Sequence, residues 1–160
     1  MTGGGLELRW TSSDDPLAAL ALADLRDRYV HLYGERANTE MARYPAAEFS
    51  SPDGGFLLAL EDGAAVAAGA FRRRDRVTAE AKRMWTRADR RRRGLARRVL
   101  TELEQAARER GYTAMYLTTG SSQQDAAGLY VAAGYTPHFP RALLVSAPVS
   151  FRELPFTKRL

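Results

Sequence analysis

Apolar residues recur along this chain in two rhythms. Leu17, Leu20, Ala21, Leu25, Tyr29 and Leu32 return at the three-and-four spacing of a helix face. Asp14 or Asp15 with Pro16 supplies its start, as N-cap and first helical position, and Gly34 its stop. Leu95, Val99, Leu103, Ala106 and Ala107 form a second stripe, which predicts a helix over 95–110 closed by Gly111. Ala126, Leu129, Tyr130 and Ala133 predict a third over 123–133, ended by Gly134.

The other rhythm is that of strands. Runs at 6–10, 56–60, 64–71, 77–86 and 114–119 are short and apolar. The second and third flank Glu61-Asp62-Gly63, which predicts a hairpin. Residues 72–76 read as a charged turn. Two further strands are expected, one from Tyr135 into a proline-broken loop and one over 149–159. Residues 35–55 carry Pro45, Pro52 and Gly54-Gly55 and little periodicity, so they read as a loop with one short helix. Strands and helices in this order predict an α/β protein with a mixed sheet covered by helices on both faces.

Length and composition narrow the picture. One hundred and sixty residues, 45% of them hydrophobic, fit one domain over 1–160 with a real core. No apolar run approaches the ~18 residues that a membrane-spanning helix needs. The N-terminus lacks the charged and apolar regions of a secretory signal, so a cytoplasmic location is expected. The absence of cysteine excludes disulfides, thiolate metal sites and a cysteine nucleophile. The net charge is +5, from 24 basic and 19 acidic residues. Only Lys82 and Lys158 are lysines. An arginine-borne charge favours phosphate-bearing partners, because the guanidinium fork binds phosphate bidentately.

Arginine is densest where the chain turns from a strand into the 95–110 helix, at Arg91-Arg92-Arg93-Gly94-Leu95-Ala96. Small residues at such a turn let backbone N–H groups approach an anion. The helix start adds unpaired donors and the positive end of its dipole. The turn is therefore a candidate pyrophosphate cradle.

The residues around this turn carry a resemblance. The segment from Glu80 through Lys82, Met84, Trp85 and Thr86 to Arg91-Arg92-Arg93-Gly94-Leu95-Ala96 resembles the acetyl-CoA signature of the GNAT superfamily of N-acetyltransferases. That signature is Arg/Gln-x-x-Gly-x-Gly/Ala before a helix. Downstream, Thr119-Gly120, Gln123-Gln124-Asp125-Ala126, Leu129-Tyr130 and Gly134-Tyr135 resemble a second block of many bacterial members. Together the two blocks span residues 77–136. The chain departs from the pattern at Thr86 (usually Val), Gln124 (commonly Pro) and Ala96 (in place of the second Gly).

The resemblance implies a largely antiparallel mixed sheet of six to seven strands with about four helices, acetyl-CoA as co-substrate, and direct transfer to a primary amine. It assigns Met84, Trp85 and Thr86 on the strand, Arg91, Arg92, Arg93, Gly94, Leu95, Ala96 and Arg97 at the turn, and Gln123 and Ala126 downstream to the cofactor. Backbone groups at Met84 and Thr86 are expected to pair with the pantetheine arm. An N–H near Met84 is expected to face the developing oxyanion.

Glu80 is the candidate base for the attacking amine, with an ion pair to Lys82 or Arg83 as the competing reading. Tyr130 is the candidate acid for the leaving thiolate, with a core aromatic as the alternative. Strand alternation predicts Glu80, Lys82, Met84 and Thr86 on one face, and Ala81, Arg83 and Trp85 on the other.

The remaining candidates carry less. Tyr29, Tyr33 and Tyr44 flank the region that walls the acceptor pocket in the family, and Tyr29 and Tyr33 are taken as pocket candidates. His31 and His138 read as ordinary surface or loop residues without metal spacing, so no metal is expected. Ser121 and Ser122 read as a loop and helix cap. Neither membrane nor nucleic acid is expected as a partner. A homodimer is a further expectation, with Phe151, Leu154 and Phe156 offering an interface. Two alternatives stand beside the enzyme: a non-catalytic acyl-CoA sensor, and a nucleic-acid-binding module that uses the basic runs at 72–76 and 90–93.

Overall fold

Asp15 fixes the first helix: its carboxylate accepts the Leu17 N–H at 2.9 Å and Pro16 takes the first helical position. The computed structural model that contains this cap describes residues 5–120, 123–140 and 153–160. In chain order the elements are β1 (Leu6–Thr11), α1 (Pro16–Tyr33), α2 (Arg36–Ala42), β2 (Gly55–Glu61), β3 (Ala64–Arg73), β4 (Thr78–Thr86), α3 (Leu95–Glu109), β5 (Ala114–Gly120), α4 (Gln124–Ala132), β6 (Thr136–Pro137) and β7 (Glu153–Arg159). Short 3-10 turns at Ala46–Phe49 and Ala88–Arg90 complete them. The region read as loop with one short helix thus holds α2 and a 3-10 turn. The charged turn is shorter than expected, since β3 runs on through Arg73.

The strands among the described residues form one seven-stranded sheet in the order β1-β2-β3-β4-β5-β7-β6. All neighbours are antiparallel except β4 and β5, which α3 joins as a parallel crossover. Asp62 and Gly63, both at positive φ, make the two-residue β2–β3 turn. One core lies between the sheet and α1, with Leu25, Phe56, Leu58, Ala70 and Trp85. The other lies between the sheet, α3 and α4, with Leu57, Phe71, Val99, Leu103, Met115, Leu117, Tyr130 and Phe156. A Cβ at Gly69 would stand 2.7 Å from Val99 Cγ1 and 2.8 Å from Met84 Sδ, so α3 packs onto β3 through the space that this glycine leaves.

Two irregularities shape the middle of the sheet. β4 and β5 pair only from Thr78↔Ala114 to Glu80↔Tyr116; beyond that they part. Along the β3–β4 ladder, Ala70 faces Lys82 but Ala68 faces Trp85, so Arg83 and Met84 together oppose Gly69. This is a β-bulge, with Arg83 at φ 60°.

The bulge overturns the expected alternation. Lys82 and Trp85 share the α1 face, where Arg83 reaches the Met41 carbonyl of α2. Met84 turns instead toward α3, beside Val99 and Leu103. An extra residue shifts every later side chain to the opposite face.

The C-terminal strand also differs from expectation. β7 pairs with both β5 and β6, which buries Leu154 and Phe156 at 1% and 0% exposure in the chain's own core. They offer no surface to a second copy. Phe151, Ser121 and Ser122 lie outside the described residues.

Candidate functional site

The divergence of β4 from β5 opens a cleft of about 1030 Å³. Met84, Trp85 and Thr86 line one side of it, and Thr118 and Thr119 of β5 the other. At one end lie Arg90, Arg91, Arg92, Gly94, Leu95, Ala96 and Arg97; α4 contributes Gln124, Asp125, Ala126, Gly128, Leu129 and Tyr130.

The turn before α3 is built to hold an anion. Arg92 (φ 65°) and Gly94 (φ 77°) both take the left-handed conformation, and Gly94 caps the helix without a side-chain bond. Among the described residues, no N–H from residue 91 to residue 97 has a hydrogen-bond acceptor; Arg98, bonded to the Gly94 carbonyl at 3.0 Å, is the first to find one. Such a run of free amides at a helix mouth forms an anion nest. Arg91, Arg92 and Arg97 line the cleft beside it, and none pairs with a carboxylate among the described residues. Arg90 is already committed to Glu61 at 3.0 Å. Arg93 does not line the cleft.

Helix α1 closes the cleft with Arg28, which sequence reading passed over, with His31, which it took for an ordinary surface residue, and with Leu32 of the predicted apolar stripe. Arg28 donates to the Thr86 carbonyl at 3.0 Å, which ties α1 to the end of β4. Burial, and then the charge of Arg91, hold its guanidinium below the ordinary arginine range. Trp85, through Nε1, donates to Asp24 at 2.6 Å, a second link between the same elements. The three-and-four helical spacing placed Ala21 and Leu25 correctly on the buried face of α1, but Leu20, also in that stripe, is 67% exposed. The spacing carried no signal that Arg28 and His31, on the flank of that face, would meet β4 and the turn.

A second cavity of about 50 Å³ adjoins the first. Glu40, Ala81, Lys82, Arg83 and Gly120 belong to it alone. Tyr29, Met84, Thr118, Thr119, Gln123 and Tyr130 line both cavities and so mark their junction.

Among the described residues, the junction holds two hydroxyls without partners. Tyr130 is 5% exposed, and its phenol makes no hydrogen bond among the described residues. Burial, with a further push from Tyr29, raises its pKa far above that of an ordinary tyrosine, so the phenol keeps its proton. Thr119 is 4% exposed, and its hydroxyl is buried without a partner. Gln123 is occupied structurally: its Oε1 accepts the Gly120 N–H at 2.7 Å and the Tyr33 hydroxyl at 3.2 Å. Tyr33 thus sits against Gly120 and supports the wall, while Tyr29 lines the cavities themselves.

The small cavity is charged. Lys82 Nζ bonds Glu40 Oε1 at 2.8 Å and lies over the Tyr44 ring at 4.6 Å. Glu153 of β7 belongs to the same group, its carboxyl pushed up by burial and by Glu40. Glu80 is 2% exposed and lines neither cavity. Arg72 holds it at 2.8 Å, with Lys82 at 3.6 Å and Arg74 at 3.9 Å. It stands in the ion-pair position that was the competing expectation for it, and Glu40 is the carboxylate that reaches the cavity. Glu40 lies in the segment without periodicity, which is why pattern reading missed it. No cluster of metal-ligating residues occurs among the described residues. No described helix is long and apolar enough to cross a membrane.

The model of the Acetyltransferase (GNAT) family matches residues 22–135. Solved structures share the fold along nearly the whole chain. An acetyltransferase from Streptococcus agalactiae superposes with a TM-score of 0.74 at 21% identity, over 98% of this chain and 99% of its own. The PaiA N-acetyltransferase from Thermoplasma acidophilum, solved in complex with coenzyme A, gives 0.73 at 16%, over 98% and 99%. A GNAT family acetyltransferase from Elizabethkingia anophelis with acetyl-CoA bound gives 0.66 at 14%, over 99% and 100%. No curated protein sequence matches the chain.

Proposed function

The chain belongs to the GNAT acetyltransferase family, and on that premise we propose that it transfers an acetyl group from acetyl-CoA to a primary amine by direct attack in a ternary complex. One observation carries this reading: among the described residues, the cleft runs from a nest of free amides flanked by arginines without carboxylate partners to a buried phenol without a hydrogen bond. A diphosphate suits the first end and a thioester sulfur the second.

The residues fit coenzyme A along its length. Amides 91–97, with Arg91, Arg92 and Arg97, receive the diphosphate. β4 beyond Glu80 has lost its β5 partner, which leaves strand edges that the amides of pantetheine can pair with. Coenzyme A supplies an activated acetyl group; the chain supplies orientation and proton traffic.

The amine enters from the small cavity, because only there can it meet a thioester at the junction. Its lone pair forms the C–N bond while the carbonyl π pair moves onto oxygen. That pair returns as the C–S bond breaks, and the C–S electrons leave with sulfur. Tyr130 O–H gives its proton to the sulfur. The proton shed by nitrogen passes to Glu40, the carboxylate at the cavity wall, and Lys82 orients that carboxylate. Glu80, the base expected from the resemblance, acts here as a positioning residue that holds Lys82 and Arg72.

Thiol release from acetyl-CoA across a panel of primary amines tests the proposal. Release that depends on both an amine and Tyr130 supports it. Binding of acetyl-CoA without release for any amine makes the chain an acyl-CoA sensor instead.

A further inference from the structure

Among the described residues, Thr119 presents a buried hydroxyl with no partner. Such a group loses its hydration and gains nothing in return, which native folds rarely leave unexplained. It is also among the residues common to both cavities. A donor group held in the large cavity and an amine held in the small one can meet only at that junction. The reacting carbonyl therefore lies beside Thr119, and a carbonyl oxygen is the acceptor that the orphan O–H lacks.

We infer that Thr119 Oγ donates a hydrogen bond to the carbonyl oxygen of the acetyl thioester. This rests on the acetyl-transfer reading above. The bond holds the carbonyl in line for attack and strengthens as the π pair moves onto oxygen. The same hydroxyl then costs stability in the ligand-free chain and contributes affinity in the complex. A merely structural threonine would show the opposite sign in the free protein.

Three ligands separate the outcomes in calorimetry: coenzyme A, acetyl-CoA, and the thioether S-ethyl-CoA, which lacks the carbonyl oxygen. Thr119→Val should weaken acetyl-CoA about three- to tenfold. It should leave the other two ligands unchanged, and the ligand-free melting temperature should equal or exceed that of the wild type. Thr119→Ser should restore acetyl-CoA affinity. Equal weakening of all three ligands would assign the hydroxyl to the pantetheine arm and overturn the inference. So would unchanged affinity for acetyl-CoA, or a lowered melting temperature in the ligand-free Val variant. Wild-type protein that binds none of the three ligands removes the acetyl-transfer reading itself. Wild-type binding with an unaffected Val variant removes only the role of Thr119.

Discussion

Lys82 Nζ lies 2.8 Å from Glu40 Oε1, joining β4 to α2 at the wall of the small cavity. Glu80, two residues earlier on the strand, stands 3.6 Å from the same lysine but lines neither cavity. The two carboxylates should therefore respond differently to neutralisation. Glu40→Gln is expected to lower kcat at neutral pH by about a hundredfold, with recovery as rising pH deprotonates the amine unaided. Glu80→Gln should act mainly on stability, because it leaves Arg72 short of a partner. Thiol-release rates across pH, beside melting temperatures, check both. A larger, pH-rescued loss in Glu80→Gln would make Glu80 the base.

Tyr130→Phe removes one oxygen and no hydrogen bond to a described residue. Turnover should fall about a hundredfold or more if the phenol protonates the leaving sulfur, while coenzyme A affinity stays unchanged. Because burial raises its pKa, the phenol is still protonated at ordinary alkaline pH. The wild-type rate should show no loss from this group below pH about 10. Full activity in the variant would refute the role.

The same burial has a signature in folding. Tyr130 and Tyr135 both have pKa values raised above that of an ordinary tyrosine, the first by burial and Tyr29, the second by burial and Glu104. Above pH about 10 the unfolded chain loses protons that the folded chain keeps. The stability from these groups is complete below that pH and declines as pH rises past it. Denaturant melts between neutral and strongly alkaline pH should show the decline, and Tyr130→Phe should flatten it. An unchanged slope would mean that the phenol ionises freely in the fold.

Arg92 lies at positive φ in the turn, lines the cleft and has no carboxylate partner among the described residues. Arg92→Ala should weaken coenzyme A about tenfold. It should also reduce the salt dependence of binding, because a charge contact is lost. Affinity equal to that of the wild type at both low and high salt would place the phosphates elsewhere.

The periodic parts of the chain were readable. The stripe from Leu95 to Ala107 set α3, Asp15-Pro16 set α1, and Arg91-Arg92-Arg93-Gly94 set the turn, since each is a local signal. The bulge at Arg83 was not legible, because it depends on the partner strand: Gly69 opposite leaves room for two residues against one. It reversed the faces of Met84 and Arg83. Glu40 and Arg28 were missed for a related reason. Their roles come from tertiary meetings with Lys82 and Thr86, which no local pattern encodes. Tyr130 was named by resemblance alone; the lack of a partner for its phenol became visible only in the fold.

The most direct test is a titration of ¹⁵N-labelled protein with coenzyme A, followed by amide shifts. The account predicts large shifts at residues 91–97, whose N–H groups find no acceptor among the described residues, together with Met84 and Thr119 at the junction. Shifts confined to another surface, or none at saturating ligand, would contradict it.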